Sequence, residues 1–388
     1  MAFIVVLLAV FVMTLGNVTI HATVGLFGRS IGIGEFQVGV IIASSALLFA
    51  LTSSRWGKFA DERGRRPVIL SGLAGAAVSL LLFGILFTLK RGDTDVFVAF
   101  LALLGARTIY GLLCGGVQPA VTAYMADITN HRDRAAGVAM VGAAFGLGTI
   151  VGPVLVALLV ERGFAVAPLV ACFLTVLTAI VVAALLREVP PTPAMNASPL
   201  TASTGRITHF LALAFVFHFA FAGLQATNAF YIQDTLKVDT IEAVQQATLI
   251  SLAFATSSFA FQVFAVRLLK WSPSMLLSAG FVVCCGATVA CLLAPDFSWL
   301  MLSFGVMGIG FAATQSGLTA GASLASNGNR QGRVAGQLQA AVSAAWIIGP
   351  LAGAALYEVT MSGPLMLTAA AMALGLFALF AVTVPRAA

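Results

Sequence analysis

Gly57-Lys-Phe-Ala-Asp61-Glu-Arg63-Gly64-Arg65-Arg66-Pro67 is a polar, basic stretch lying between two hydrophobic runs that are each long enough to cross a bilayer. The rest of the chain names its solvent. Of 388 residues, 60% are apolar and only 9% charged, against roughly 25% charged in an average soluble domain. This composition describes an all-α integral membrane protein with little chain left for a soluble domain.

Apolar runs of about 20 residues separated by polar breaks predict twelve transmembrane helices, at about 3–25, 36–55, 68–89, 96–126, 135–160, 165–186, 207–232, 245–266, 274–294, 298–322, 333–357 and 363–384. The first run has no basic segment ahead of it and is too long for a secretory signal, so it reads as a retained span. An even number of spans puts both termini on one side. The side follows from lysine and arginine. One set of loops, with the C-terminus, carries 14 basic residues: Arg55, Lys58, Arg63, Arg65, Arg66, Arg132, Arg134, Arg187, Arg206, Arg267, Lys270, Arg330, Arg333 and Arg386. The other carries five, Arg29, Lys90, Arg91, Arg162 and Lys237. The positive-inside rule then places both termini and the 57–67 stretch in the cytoplasm. The net charge of +6 is thus a record of topology, and no nucleic-acid partner is expected.

Residues 187–206 are rich in proline, serine and threonine and read as a cytoplasmic linker. The linker divides the chain into an N-terminal six-helix bundle, 1–186, and a C-terminal one, 207–388. The two resemble each other. Gly111, Gln118, Thr122, Ala123, Gly152 and Pro153 recur 197 residues later as Gly308, Gln315, Thr319, Ala320, Gly349 and Pro350. Two parallel six-helix repeats are a transporter architecture, with alternating access by rocking one half against the other.

The 57–67 stretch resembles the loop 2–3 signature of the major facilitator superfamily, Gly57-x-x-x-Asp61-x-x-Gly64-Arg65-Arg66. Its glycines allow a tight turn, and Asp61 and Arg65 can make charged hydrogen bonds to helix ends and to each other. The resemblance implies the major facilitator fold and a conformational gate of Asp61, Arg65, Arg66 and Asp127 that is made in one access state and broken in the other. Arg107-x-x-Tyr-Gly111 is similar to the family's motif in the fourth span. Gly148-x-x-x-Gly152-Pro153 resembles the fifth-span motif associated with exporters, although close helix packing accounts for its glycines equally well. The likeness extends to the tetracycline/proton antiporter group through Ala123-Tyr124-Met-Ala126-Asp127-Ile-Thr129, Phe145-Gly through Gly152-Pro153, and Arg330-Gln-Gly332 through Gly349-Pro350-Leu351. One departure stands out. That group usually buries acids, one of them in the first span, whereas the first span here offers Asn17 and His21, and no Asp or Glu lies well inside any span.

An arginine in the middle of a span costs about 2.5–3.5 kcal/mol unless it faces protein or a water cavity, and is functional by default. Arg107 therefore heads the candidate site residues, with a cavity or coupling role. His21 and His218 join it as candidates for proton coupling, since imidazole titrates near neutrality. Polar and aromatic residues at spacings of three and four mark cavity-facing stripes. They include Asn17 and His21; Arg107, Tyr110 and Gln118; His218, Phe221, Gln225 and Asn228; Gln315; and Gln339, Ser343 and Trp346. Helix packing competes for these same positions. A mostly neutral lining with one cation suits an amphipathic or weakly anionic organic molecule.

The five cysteines fall inside apolar runs with no paired spacing and read as small core hydrophobes. No metal site, cofactor or catalytic residue is expected. The expected protein is a monomeric secondary transporter in a cell membrane, the bacterial inner membrane by resemblance. Its partners are lipid, protons and a small organic substrate, and its task is proton-coupled drug or tetracycline-like efflux. The alternative is transport of an anionic metabolite or siderophore-like iron chelator paired with Arg107. A non-transporting receptor or scaffold would require neither the intact signature nor the intramembrane arginine.

Overall fold

The computed structural model describes residues 2–129, 134–188, 205–265, 271–325 and 331–381. Most of the linker expected at 187–206 lies outside these, as do Arg132, Arg267, Lys270, Arg330 and Arg386. Among the described residues every regular element is helical. The helices are α1 (Ala2–Ile31), α2 (Glu35–Arg63), α3 (Arg65–Leu86), α4 (Val96–Cys114), α5 (Val117–Ile128), α6 (Arg134–Leu159), α7 (Val166–Leu185), α8 (Gly205–Leu236), α9 (Thr240–Ala260), α10 (Pro273–Leu292), α11 (Phe297–Leu324), α12 (Gln331–Val359) and α13 (Gly363–Ala381). Among the described residues eleven spans are long and apolar enough to cross a membrane, α4 and α5 counting as one, and α13 supplies a further, shorter apolar stretch, Gly363–Leu379. The protein is a multi-pass membrane protein.

Two boundaries differ from the sequence reading. The 57–67 stretch is not an extended turn: α2 continues through it to Arg63 and α3 begins at Arg65, so Gly64 alone makes the corner. Polar residues do not end a helix that has left the bilayer, and hydropathy marks only where the oil stops. Gly64 has φ +98°, a conformation open to glycine and strained for other residues. The expected unbroken fourth span is instead split at Gly115–Gly116 into α4 and α5. Apolar residues continue through this break, so hydropathy does not register it.

Charges serve the helix ends. Asp95 accepts from the Phe97 and Val98 N–H groups at 2.9 and 3.2 Å, and Asp296 from that of Trp299 at 2.9 Å, satisfying donors that an α-helix leaves open at its start.

The chain gathers into two compact units, Met1–Pro199 with Thr240–Thr248, and Leu200–Asp239 with Leu249–Ala388. In the first, α1 packs on α6, and in the second, α8 packs on α12. Both crossings are made by glycine. A Cβ at Gly148 or Gly152 would meet the backbone oxygens of Phe11 at 2.7 Å or Leu15 at 3.1 Å, and one at Gly349 would meet that of Phe219 at 2.5 Å. Both helices run on through an internal proline, Pro153 and Pro350.

At the tightest point a Cβ on Gly353 would lie 2.4 Å from the Gly223 Cα. Gly353→Ala is therefore expected to force the two helices apart and cost about 1–3 kcal/mol. At Gly286 nothing lies within 4 Å, so Gly286→Ala should be neutral or gain up to about 1 kcal/mol of helix propensity. Thermal unfolding of the two detergent-solubilised variants checks the contrast.

Candidate functional site

In the first unit, α1 and α4 bring four of the expected residues together. Arg107 is 2% exposed. Its Nη2 donates to Asn17 Oδ1 at 2.8 Å and lies 3.4 Å from the His21 ring nitrogens. Its guanidinium carbon sits 4.8 Å from the centre of the Tyr110 ring, a cation–π contact made possible because Arg107 and Tyr110 share a helix face. His21 Nδ1 lies 2.9 Å from the Asn17 carbonyl oxygen. A carbonyl only accepts, so Nδ1 carries the hydrogen, and in the neutral ring Nε2 is left as an acceptor toward Arg107. Arg107 Nε is buried and has no hydrogen-bond partner. Met13, Gly16, Ile20, Ala76, Ser79 and Leu80 complete a crevice whose walls leave no room for a water molecule.

In the second unit, His218 is buried on α8, with Nδ1 2.9 Å from the Ala214 carbonyl oxygen. His21 and His218 stand 197 residues apart, the spacing of the sequence repeat, and make the same bond to the carbonyl four residues earlier. Their surroundings differ. Gln315 of α11 faces the His218 ring, and its Oε1 is buried short of a well-formed hydrogen bond. Phe311 stands edge-on to the imidazole at 6.0 Å between ring centres and lies 4.5 Å from Phe221, which stacks with Phe254 at 5.1 Å.

The residues of the 57–67 stretch form a third cluster, inside the first unit. Arg65 Nη1 donates to Asp61 Oδ1 at 2.5 Å, and its Nε lies 3.8 Å from Asp127 Oδ2, an ion pair without a hydrogen bond. The Arg65 side chain is 8% exposed, that of Asp127 12% and that of Asp61 55%. Water therefore weakens the Asp61 pair much more than the Asp127 pair. A third acid completes the group. Glu188 Oε1 accepts from the Arg65 N–H at 2.7 Å and Oε2 from the Arg66 N–H at 3.2 Å. With Pro67 lacking an N–H, this carboxylate satisfies the start of α3, where a negative charge also suits the helix dipole. A Cβ at Gly64 would collide with the Glu188 carboxylate. Arg66 Nη2 in turn donates to the Ala183 carbonyl of α7.

The Major Facilitator Superfamily profile matches residues 6–244 and 210–388. The chain belongs to the major facilitator superfamily. This is a family of membrane transporters rather than enzymes. Tetracycline resistance protein, class B, of Escherichia coli is 25% identical over 334 residues, which cover 82% of this chain and 79% of that protein. Multidrug resistance protein 2 of Bacillus subtilis (strain 168) is 31% identical over 151 residues, 39% of this chain and 35% of that protein. The chain spans 35%, 26% and 27% of the length of the first curated relatives it matches. The same fold is seen in the human organic anion transporter MFSD10 (TM-score 0.69, 20% identity, 97% of this chain and 98% of that one) and in the nucleoside transporter NupG (TM-score 0.80, 12% identity, 98% and 99%).

Within this facilitator, not every expected residue joins a cluster. Gln118 is exposed on α5, beyond the Gly115–Gly116 break and away from Arg107. Gln225 and Gln339 are exposed, and Asn228, Ser343 and Trp346 half-buried. Gly57 lies inside α2, where a Cβ would meet nothing within 4 Å, so no turn needs it. Asp234, near the end of α8, accepts from the Tyr357 hydroxyl at 2.5 Å. Sequence reasoning missed Phe254, Phe311 and Glu188. Phe311 had a usable signal, four residues before Gln315 on one helix face. Glu188 had none, since its partners are 122 and 123 residues away.

A hydrogen bond to a charged group contributes about 1.5–3 kcal/mol. Glu188→Ala is expected to speed amide exchange at Arg65 and Arg66 at least tenfold, leaving the middle of α3 unchanged. Hydrogen–deuterium exchange mass spectrometry of the protein in nanodiscs reads this directly.

Proposed function

We propose that this facilitator is a proton-coupled secondary transporter that exports amphipathic organic compounds of the drug and tetracycline type. The observation that carries the reading is the cluster of Asn17, His21 and Tyr110 around the buried Arg107. A charge is expensive to hold inside an apolar span, and a helix bundle has no packing need for one there. Its relatives among tetracycline, multidrug and quinolone resistance proteins support a drug as cargo. The positive-inside count supports cytoplasmic termini and, with the bacterial relatives, the inner membrane.

In this reading the bundles 1–186 and 207–388, joined by 187–206, alternate the exposure of the site, and a monomer suffices. Asp61, Arg65, Arg66 and Asp127, with Glu188 anchoring the start of α3, hold one access state without touching cargo. Gly64 sets the corner, and the glycine crossings at Gly148, Gly152 and Gly349 keep each bundle rigid as it moves. His21 and His218 are the proton carriers, and Arg107 couples them to cargo. Phe221, Gln225, Asn228, Gln315, Gln339, Ser343 and Trp346 line the path in the second half.

Expression in a drug-sensitive bacterial strain tests the proposal. Accumulation of at least one compound of a broad antibiotic panel should fall several-fold, an uncoupler should restore it, and Arg107→Ala should abolish the effect. No change in accumulation or resistance for any compound rules out drug export. In proteoliposomes with an imposed pH gradient, loss of gradient dependence in His21→Ala or His218→Ala identifies the carrier. Unchanged dependence in both removes the histidine route.

A further inference from the structure

Among the described residues the charge of Arg107 has no counter-ion. The chain has 14 acids, and each of those described stands in a connection or within three residues of a helix end. Among the described residues no carboxylate lies within ion-pair distance of Arg107. What it has instead are neutral groups: the Asn17 amide oxygen, the His21 ring and the Tyr110 face.

The hydrogen bonds are also unevenly shared. Nη2 is engaged by Asn17 at 2.8 Å and only loosely by His21 at 3.4 Å, and Nε is buried with no partner at all. A buried, unsatisfied donor is costly, more so when charged, and native structures leave few of them without a reason. Nε and Nη2 form one edge of the guanidinium plane, the edge that receives a carboxylate with two parallel N–H···O bonds. The crevice that Arg107 lines is also walled by Met13 and Leu80, unbranched or γ-branched side chains that can give way to an apolar ring system.

Resting on the transporter reading above, we propose that the cargo is a monoanion: a planar oxyanion, carboxylate or delocalised enolate, carried on an apolar body. It accepts from Arg107 Nε and Nη2 and supplies the negative charge that the spans lack. Asn17 is a positioning residue that holds the guanidinium edge toward the crevice. Neutral and cationic compounds of the same shape are discriminated against, because they leave Arg107 buried without its anion.

The test compares binding by isothermal titration calorimetry to the full chain in dodecylmaltoside. The probes are 1-pyrenebutyrate, its neutral isostere 1-pyrenebutanamide and the cation 1-pyrenebutylamine, with 2-naphthoate and 2-naphthamide as a smaller pair. Wild type should bind an acid at least tenfold more tightly than its amide. Arg107→Gln should erase that preference and Arg107→Lys should retain part of it, with thermal unfolding confirming that both variants are folded. Equal binding of acid and amide overturns the proposal, as does a preference that survives in Arg107→Gln, or failure of both acids to bind folded wild type. The transporter reading fails separately, when efflux is absent for compounds of every charge. Efflux confined to neutral or cationic compounds sinks the anion proposal and leaves that reading standing.

Discussion

A guanidinium held at 2% exposure in an apolar span governs the chemistry of the N-terminal unit. Placing it there costs about 2.5–3.5 kcal/mol on the insertion scale. One hydrogen bond to a charged group returns about 1.5–3 kcal/mol, and a desolvated cation–π contact up to about 2. Asn17 and Tyr110 thus offset the insertion without cancelling the charge. An aspartate at position 17 would do both, filling the site with its own counter-ion. An amide at that position keeps the arginine folded in and electrostatically open.

The 57–67 cluster follows a different logic, because it lies at the water boundary, where isolated ion pairs contribute little. Its most visible pair, Asp61 with Arg65, is the weakest, since the carboxylate side chain is 55% exposed. More weight rests on the drier Arg65–Asp127 pair and on Glu188 at the start of α3. Tyr124 donates to the Arg187 carbonyl at 2.8 Å, so α5 is tied to the end of α7 beside the same acid. A hairpin with a one-residue corner transmits such contacts stiffly. The ends of α2, α3, α5 and α7 are consequently joined at one face of the unit by groups that can exchange partners with water at small cost.

The fold was legible where bilayer physics is indifferent to detail. Runs of about 20 apolar residues can do little in lipid except form helices, because every backbone polar group must be satisfied internally. That logic located the spans, yet it could not show α2 running on into water or α4 breaking at Gly115–Gly116. In the site, Arg107 was legible because intramembrane charge is rare. Asn17, His21 and Tyr110 were legible because they share helix faces with each other or with it. Gln118 follows the same spacing on paper, but eleven residues, about 16 Å at 1.5 Å per helical residue, separate it from Arg107, and it lies beyond the break. Phe311 was hidden by abundance, being one of 29 phenylalanines, and Glu188 by its sequence distance from the N–H groups it caps.

The two histidines show how positions 197 residues apart, the spacing of the sequence repeat, acquire different chemistry. Each fixes its Nδ1 hydrogen on a carbonyl one turn earlier, which leaves Nε2 to meet whatever the fourth or tenth span presents. At the repeat position of Arg107 the second half carries Phe304, and at that of Cys114 it carries Phe311. A proton arriving at His21 Nε2 therefore meets an Arg107 N–H and must break that contact. One arriving at His218 has the half-buried Gln315 side chain before it, whose buried Oε1 still lacks a well-formed hydrogen bond. Within the proposed proton-coupled cycle His218 is thus the better-placed carrier.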